Sequence, residues 1–323
     1  MFQERLLSPR VIYWASDQVF WQCSSLHACE AYPTGCPVNT PFVIPSDFPS
    51  SQPTLDRHCI SSQPQLHVRR AWRSIVHNYS TCRLTYPDLD KLPALAGVAE
   101  QFAHLFDDDY IAGLFRRQLP ETLIWMVAEI PPRKTHPSSS PYRCPSWTWA
   151  KLNIAVSLPP NYDDNKRLAD VIDTELELHD PANAFGRLRS AKLVLHGWTT
   201  PVRWDLPPML IDTAGETYPH EDLWRNRCLV HADILGPNVY AEFISFDYTE
   251  YGYEAQESVF FMPITAWGNC WVKGLMLRKL ERDGHQVYER IGTALLSSNS
   301  RTPGQLEIVK RFEKLAKQDV VLI

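Results

Sequence analysis

The chain has 323 residues, 44% apolar and 21% charged, which is ordinary globular usage and excludes disorder as the default state. A net charge of −5 with no concentrated basic run argues against a nucleic-acid partner, because Lys and Arg must neutralise phosphates for such binding. No stretch of about 18 apolar residues occurs, so no membrane span is expected.

The opening Met1-Phe2-Gln3-Glu4-Arg5 places acid and base where a signal peptide needs a basic end and an apolar run. The eight cysteines (23, 29, 36, 59, 82, 144, 228 and 270) are scattered, unlike a secreted disulfide scaffold. They read as reduced thiols of a cytoplasmic protein. Eleven Trp, 13 Tyr and 13 Phe supply enough large side chains for a sizeable core.

In chain order, Val11, Tyr13 and Ala15 alternate with Ile12 and Trp14, which predicts a strand covered on both sides. Ser16-Asp17 turns into a second strand, Val19 to Cys23. Seven prolines between Pro33 and Pro64, interleaved with serines, then predict a linker or surface loop, since proline lacks the amide hydrogen a regular element needs.

Trp72, Ile75, Val76 and Tyr79 fall at i, i+3, i+4 and i+7, one face of a helix. A second helix is expected from near Asp88, with Pro93 in its first turn and Leu92, Leu95, Ala96, Val98, Ala99 and Phe102 inside. A third runs from Glu121 to Ala128, and Pro131, Pro132, Pro137 and Pro141 mark a further loop. After Trp147 the period shifts to that of strands. Ile172, Thr174, Leu176 and Leu178 alternate with polar residues. Further strand-like runs cover 192–198, 228–235, 239–246, 259–264, 271–280 and 287–295. Leu306, Val309, Phe312 and Leu315 outline a closing amphipathic helix, and Val320 to Ile323 a last strand. The expected class is α+β: a short strand pair, a small helical block, then a β-rich antiparallel sheet or barrel with a C-terminal helix.

Phe2-Gln3-Glu4-Arg5-Leu6-Leu7-Ser8-Pro9-Arg10 resembles the closing motif of a fungal heterokaryon-incompatibility (HET) domain, Trp-Thr-Xaa-Gln-Glu-Arg-Leu-Leu-Ser-Pro-Arg. Val11 to Tyr13, Asp17 to Trp21 and Ala28-Cys29-Glu30 resemble the strands and turn that follow it. Trp72 with Tyr79-Ser80, Leu84-Thr85, Asp90 to Gly97, Tyr110 to Leu114, Trp125 and Tyr142 to Ala150 resemble later blocks. Fainter echoes lie at Phe185-Gly186-Arg187 and Glu289-Arg290-Ile291-Gly292. Met1 stands where the motif carries Thr, and the upstream HET motifs have no counterpart. The resemblance implies a C-terminal fragment: a HET remnant over 1–32, a Pro/Ser-rich linker over 33–66, a helical block over 67–150 and a β-rich region over 151–323. It implies a non-enzymatic signalling protein of non-self recognition and programmed cell death, with other proteins as partners.

The rival class is an enzyme. HET domains have been compared with TIR-type folds, some of which hydrolyse a nicotinamide dinucleotide with a glutamate, so Glu4 is the candidate acid; the bland reading is a hydrogen-bonded domain end. Trp147 and Trp149 share one face if their segment is a strand, offering an aromatic surface for a sugar or base; the alternative is buried anchoring. Cys23, His27, Cys29 and Cys36 are zinc-capable residue types without knuckle spacing, and read as packed thiols. Asp107-Asp108-Asp109 lacks the further ligands of a calcium loop and reads as a solvated acidic turn. No Gly-x-Ser-x-Gly elbow, Gly-x-Gly-x-x-Gly or P-loop is present, and neither a metal nor a cofactor is expected.

Overall fold

The computed structural model describes residues 2–23, 25–37, 64–128, 142–160, 165–204, 210–211, 217–218, 228–232, 235, 239–248, 259–268, 270–298 and 307–323. The expected loop at 131–141 and nearly all of the linker lie outside these residues.

The chain opens with helix α1 (Phe2–Leu7), then strands β1 (Arg10–Trp14), β2 (Val19–Cys23) and β3 (His27–Cys29) in one antiparallel sheet, so the expected pair has a third member. Helix α2 (Pro64–Ser80) starts on a proline, which suits a first turn where the amide has no partner. Its stripe of Val68, Trp72, Ile75, Val76 and Tyr79 is buried. Ser80 ends it, donating to the His77 carbonyl at 2.7 Å and accepting from Val156 N at 2.9 Å.

The single helix expected from Asp88 is instead three pieces: α3 (Pro87–Asp90), a 3-10 turn Pro93–Leu95, and α4 (Ala96–Phe106). Pro93 has no N–H to continue α3, so it starts a new turn rather than sitting inside one. The helix expected over 121–128 is also corrected: a 3-10 turn Glu121–Ile124 gives way to an extended chain. Between these lie the hairpin β4 (Tyr110–Ile111) and β5 (Leu114–Phe115). Strand β6 (Met126–Val127) pairs with β7 (Val156–Ser157), so hydrogen bonds cross the expected boundary at 150.

The second half is mostly sheet: β8 (Lys166–Arg167), β9 (Asp170–Leu178), β10 (Leu188–Gly197), β11 (Thr200–Pro201), β12 (Arg203–Trp204), β13 (Leu210–Ile211), β14 (Thr217–Tyr218), β15 (Cys228–His231), β16 (Val239–Phe246), β17 (Val259–Trp267), β18 (Trp271–Arg282), β19 (His285–Ser298) and β20 (Gln318–Leu322). The main path is β11-β17-β18-β19-β16-β15-β12; β20 joins β19 to β10, and β9 flanks β10. All pairings are antiparallel except the β19–β20 bridge at Tyr288 and Leu322. The class is α+β, as expected. Side chains alternate across the central strands: Leu275 and Leu277 enter the core shared with the helical block, while Val272 and Met276 enter a second core with Phe312 of α5 (Ile308–Phe312).

Ile172 departs from the alternation expected for β9. Leu193 faces Thr174 and Val194 faces Asp173, but Leu195 faces Val171, so Ile172 is the extra residue of a β-bulge. It stands 57% exposed while Val171 packs on the core.

The two halves are joined by a buried cation. Arg290 on β19 donates through Nη1 to both Asp247 oxygens at 2.5 Å, through Nη2 to the Trp125 carbonyl at 2.6 Å, and through Nε to the Leu123 carbonyl at 3.2 Å. Its guanidinium carbon lies 3.4 Å from the Trp125 ring centroid, and its own amide donates to Ser146 Oγ at 2.9 Å. Burial pushes Asp247 up to about 6 while Arg290 pulls it down, so the carboxylate is ionised at neutral pH. Breaking such a pair strands a charge in the core. Arg290→Met is expected to cost about 3–5 kcal/mol, read as a lower urea midpoint. Arg290→Met with Asp247→Leu should recover part of that loss; a double variant no more stable than the single one would show that Asp247 is not the partner that matters.

Candidate functional site

The motif residues at the start of the chain form a docked helix. Phe2 meets the Tyr79 ring at 5.2 Å between centroids, and Gln3 Oε1 accepts from Gly97 N at 2.9 Å. A Cβ on Gly97 would come within 3.0 Å of the Gln3 side chain and 3.2 Å of Leu7, so glycine lets α1 approach. Phe2, Leu6 and Leu7 pack on the main core. The helix closes where Ser8 N donates to the Glu4 carbonyl at 2.9 Å, leaving Ser8, Pro9 and Arg10 exposed. Arg5 lies 5.3 Å from the centroid of the Tyr13 ring.

The three-stranded sheet that follows has two unlike faces. On one, Tyr13 and Phe20 are cross-strand partners, Phe20 and Cys29 likewise, and together they form a small core with Val11, Ala15 and Cys36. Tyr13 also donates to Gln22 Oε1 at 2.8 Å. The register puts Ile12 opposite Trp21, Trp14 opposite Val19 and Ala28 opposite Trp21 on the other face. There Trp14 is 82% and Ile12 50% exposed, beside a hollow of about 420 Å³ whose lining includes Val19, Trp21, Leu26 and Pro33. The strand expected to be covered on both sides is covered on one. Among the described residues strand β1 is also an edge, since it pairs there with β2 alone.

The cysteine cluster does not converge. Cys36 Sγ sits 3.9 Å from Cys29 Sγ, whereas Cys23 contacts Ser25 Oγ at 3.5 Å and His27 lies 3.5 Å from Gln22 Nε2. Hydrogen bonds from Ser25 pull the Cys23 thiol down to about 7. Among the described residues no group of three or more His, Cys, Asp and Glu is placed to hold a metal. The acidic triplet works as a helix stop. Asp107 caps α4 in the left-handed conformation (φ 49°), Asp108 accepts from Arg117 N at 2.9 and 3.1 Å, and Asp109 pairs with Arg116 at 3.3 Å.

Trp147 and Trp149 form no aromatic surface: both are fully buried. Their segment is a turn leading into a 3-10 turn, Trp149–Lys151, so the strand geometry that would align them is absent. Trp149 Nε1 donates to the Gly113 carbonyl at 2.7 Å, Thr148 Oγ1 to the Ala112 carbonyl, and Trp125 Nε1 to the Trp147 carbonyl at 3.0 Å. Gly113 (φ 96°) makes room, since a Cβ there would lie 2.9 Å from Trp149 Nε1. Glu4 lies on the exposed side of α1 and lines none of three clefts found among the described residues. Neither arm of the enzyme reading gains a site.

The largest of these clefts, about 720 Å³, is lined by Tyr142, Ser146, Ile323 and charged residues of β9, β10, β18 and β19. Its three carboxylates are paired: Glu175 with Lys192 at 3.1 Å, and Glu177 with Arg189 at 3.7 Å. Glu289 pairs with Arg278 at 2.6 Å, and burial pushes the Cys144 thiol up to about 12. A thiol held protonated in this way is a poor nucleophile. Set against family models, curated proteins and solved structures, the chain matches none.

One titrating group in this region is measurable. Lys91 is buried, with Nζ 5.4 Å from the centroid of Tyr79 and 5.8 Å from that of Trp149, and burial pushes it from 10.5 down to about 8. A lowered lysine pKa means the charged form penalises folding. The penalty is full below pH 8 and fades as pH rises toward 10.5, where the unfolded chain also loses the proton. Lys91→Met is therefore expected to raise unfolding free energy by about 1–3 kcal/mol at neutral pH, the gain shrinking across that window. A gain of constant size from pH 8 to 10.5 would contradict the assignment.

Proposed function

We propose that the chain is a non-enzymatic signalling and interaction protein of the fungal HET type, acting in non-self recognition and programmed cell death in the cytoplasm. Its working surface is the outer face of β1–β3, and its partner is the body of a HET domain, on the same polypeptide or another. The observation that carries this reading is Trp14, 82% exposed on an edge strand, with Ile12 beside it at 50%. Water-facing indole and sec-butyl groups on a sheet edge are costly unless something covers them. That strand directly follows the block that resembles the end of a HET domain.

A second consideration agrees. The blocks that carry the resemblance touch one another in space. Gln3 meets Gly97, Phe2 meets Tyr79, Trp149 meets Gly113, and Ser146 meets Arg290. Such residues serve a shared scaffold, which fits a protein whose output is docking. Among the described residues no helix is long and apolar enough to cross a membrane.

The test supplies a HET-domain body, carrying the upstream motifs, as a separate polypeptide. Binding to this chain is expected by calorimetry, and Trp14→Asp should weaken it at least tenfold, about 1.4 kcal/mol, without lowering the thermal midpoint of the free chain. In a compatible fungal host the chain alone should be tolerated. Strong cell death from the chain by itself, or binding indifferent to Trp14→Asp, would sink the reading.

A further inference from the structure

The turn that follows β3 brings two thiols together. Cys36 Sγ lies 3.9 Å from Cys29 Sγ, and the Cys36 amide donates to the His27 carbonyl at 2.8 Å. Between them the chain is bent by its own backbone. Cys29 N donates to the Tyr32 carbonyl at 3.3 Å, Tyr32 N to the Cys29 carbonyl at 2.9 Å, and Gly35 N to the Tyr32 carbonyl at 3.2 Å. Gly35 completes the return at φ 128°, where a Cβ would also press on Leu26 Cδ1 at 3.0 Å. The approach of the two sulfurs is thus set by the backbone.

Their surroundings favour a neutral product. Both sulfurs belong to the small core of Tyr13, Phe20, Val11 and Ala15, where a thiolate loses hydration and a disulfide loses none. Burial, and then the Cys29 thiol beside it, push the Cys36 thiol above its ordinary range, so it rests protonated near neutral pH. The present gap exceeds a disulfide bond of about 2.05 Å by roughly 2 Å, which side-chain rotation can close. The other cysteines are placed differently. Phe20 and Cys29 are cross-strand partners on this face, so Cys23 projects from the opposite one, where it contacts Ser25. Cys82 turns to the Asn78 carbonyl at 3.5 Å. Among the described cysteines, Cys29 and Cys36 make the one sulfur–sulfur contact.

We propose that Cys29 and Cys36 form a reversible redox site, a dithiol that closes to a disulfide by exchange with a small disulfide of the glutathione class. Cys36, partly exposed where Cys29 is buried, reacts first. Its thiolate attacks one sulfur of the oxidant, the oxidant's S–S bond breaks, and one glutathione leaves as thiolate and takes up a proton. Cys29 then attacks Cys36 Sγ and expels the second glutathione. The two cysteines lose two electrons and two protons, and one glutathione disulfide becomes two glutathione thiols. The site lies on the face of β1–β3 opposite to Trp14 and does not depend on the HET-type reading.

The experiment equilibrates the reduced full chain with mixtures of reduced and oxidised glutathione at about pH 7.5. After an acid quench, free thiols are alkylated and masses are read on the intact chain and after cleavage at Glu30, which separates the two cysteines. A Cys29–Cys36 linkage with a loss of about 2 Da is expected, reversed by excess reduced glutathione. Cys23 should carry a glutathione adduct only, and Cys23→Ser should leave the linkage unchanged. Cys29→Ser should trap glutathione on Cys36. In about 8 M urea the equilibrium for ring closure should fall by about tenfold or more, because the turn no longer holds the sulfurs together. Separate adducts on Cys29 and Cys36, a linkage through Cys23, no reaction at about 10 mM oxidised glutathione, or closure as favourable in urea as in water would each overturn the proposal.

Discussion

A guanidinium removed from water needs the fold to replace the hydrogen bonds it gave up, and the Arg290 side chain makes four, to partners far apart in sequence. Asp247 follows β16, Leu123 and Trp125 belong to the turns after α4, and Ser146 opens the tryptophan turn. None of these contacts is local, so the side chain is satisfied only once sheet and helical block have met. Its stacking on Trp125 fixes the indole, and Trp125 in turn holds the Trp147 carbonyl. Ser146 also receives support from the end of the chain, through its amide to the Ile323 carbonyl at 2.9 Å. The helical block is therefore not an independent layer resting on a sheet. It shares one buried polar network with it, and the two are expected to unfold together.

The same logic explains which elements were legible in the sequence. Strands such as Val239–Phe246 and Val19–Cys23 fall where alternation placed them, because burial on one face leaves a period-two signature. Helix α2 was legible for the corresponding reason at period 3.6. The errors arise where a distant or geometric constraint overrides the local pattern. Ile172 looks like a core residue of β9, but a bulge opposite Val194 and Leu195 ejects it, and nothing near Ile172 encodes that register shift. Pro93 splits a run that is apolar throughout. Glu121–Ile124 reads as helix by composition, yet Trp125 and Leu123 must turn their carbonyls to Arg290, which a continuing helix would consume.

The candidate sites divide in the same way. Residue identity flagged Trp147, Trp149 and the cysteines, but exposure decides what such residues do, and exposure is set by partners in the fold. The two indoles vanish into the core because Gly113 and Ala112 receive them. Trp14 was assigned to a covered face on alternation alone. Alternation shows that a strand has two apolar sides without showing how many layers are present to cover them.

Helix α2 ties the start of the chain to this scaffold. Its Tyr79 receives Phe2 of α1, which leads into the β1–β3 sheet. On the same face Trp72, Ile75 and Val76 are buried, and the indole of Trp72 is wedged against Phe102 and Phe115 at 5.3 and 5.1 Å. The exposed face of the small sheet therefore follows from a helix anchored in the main core, the same core that reaches the buried charge of Arg290 through Trp125.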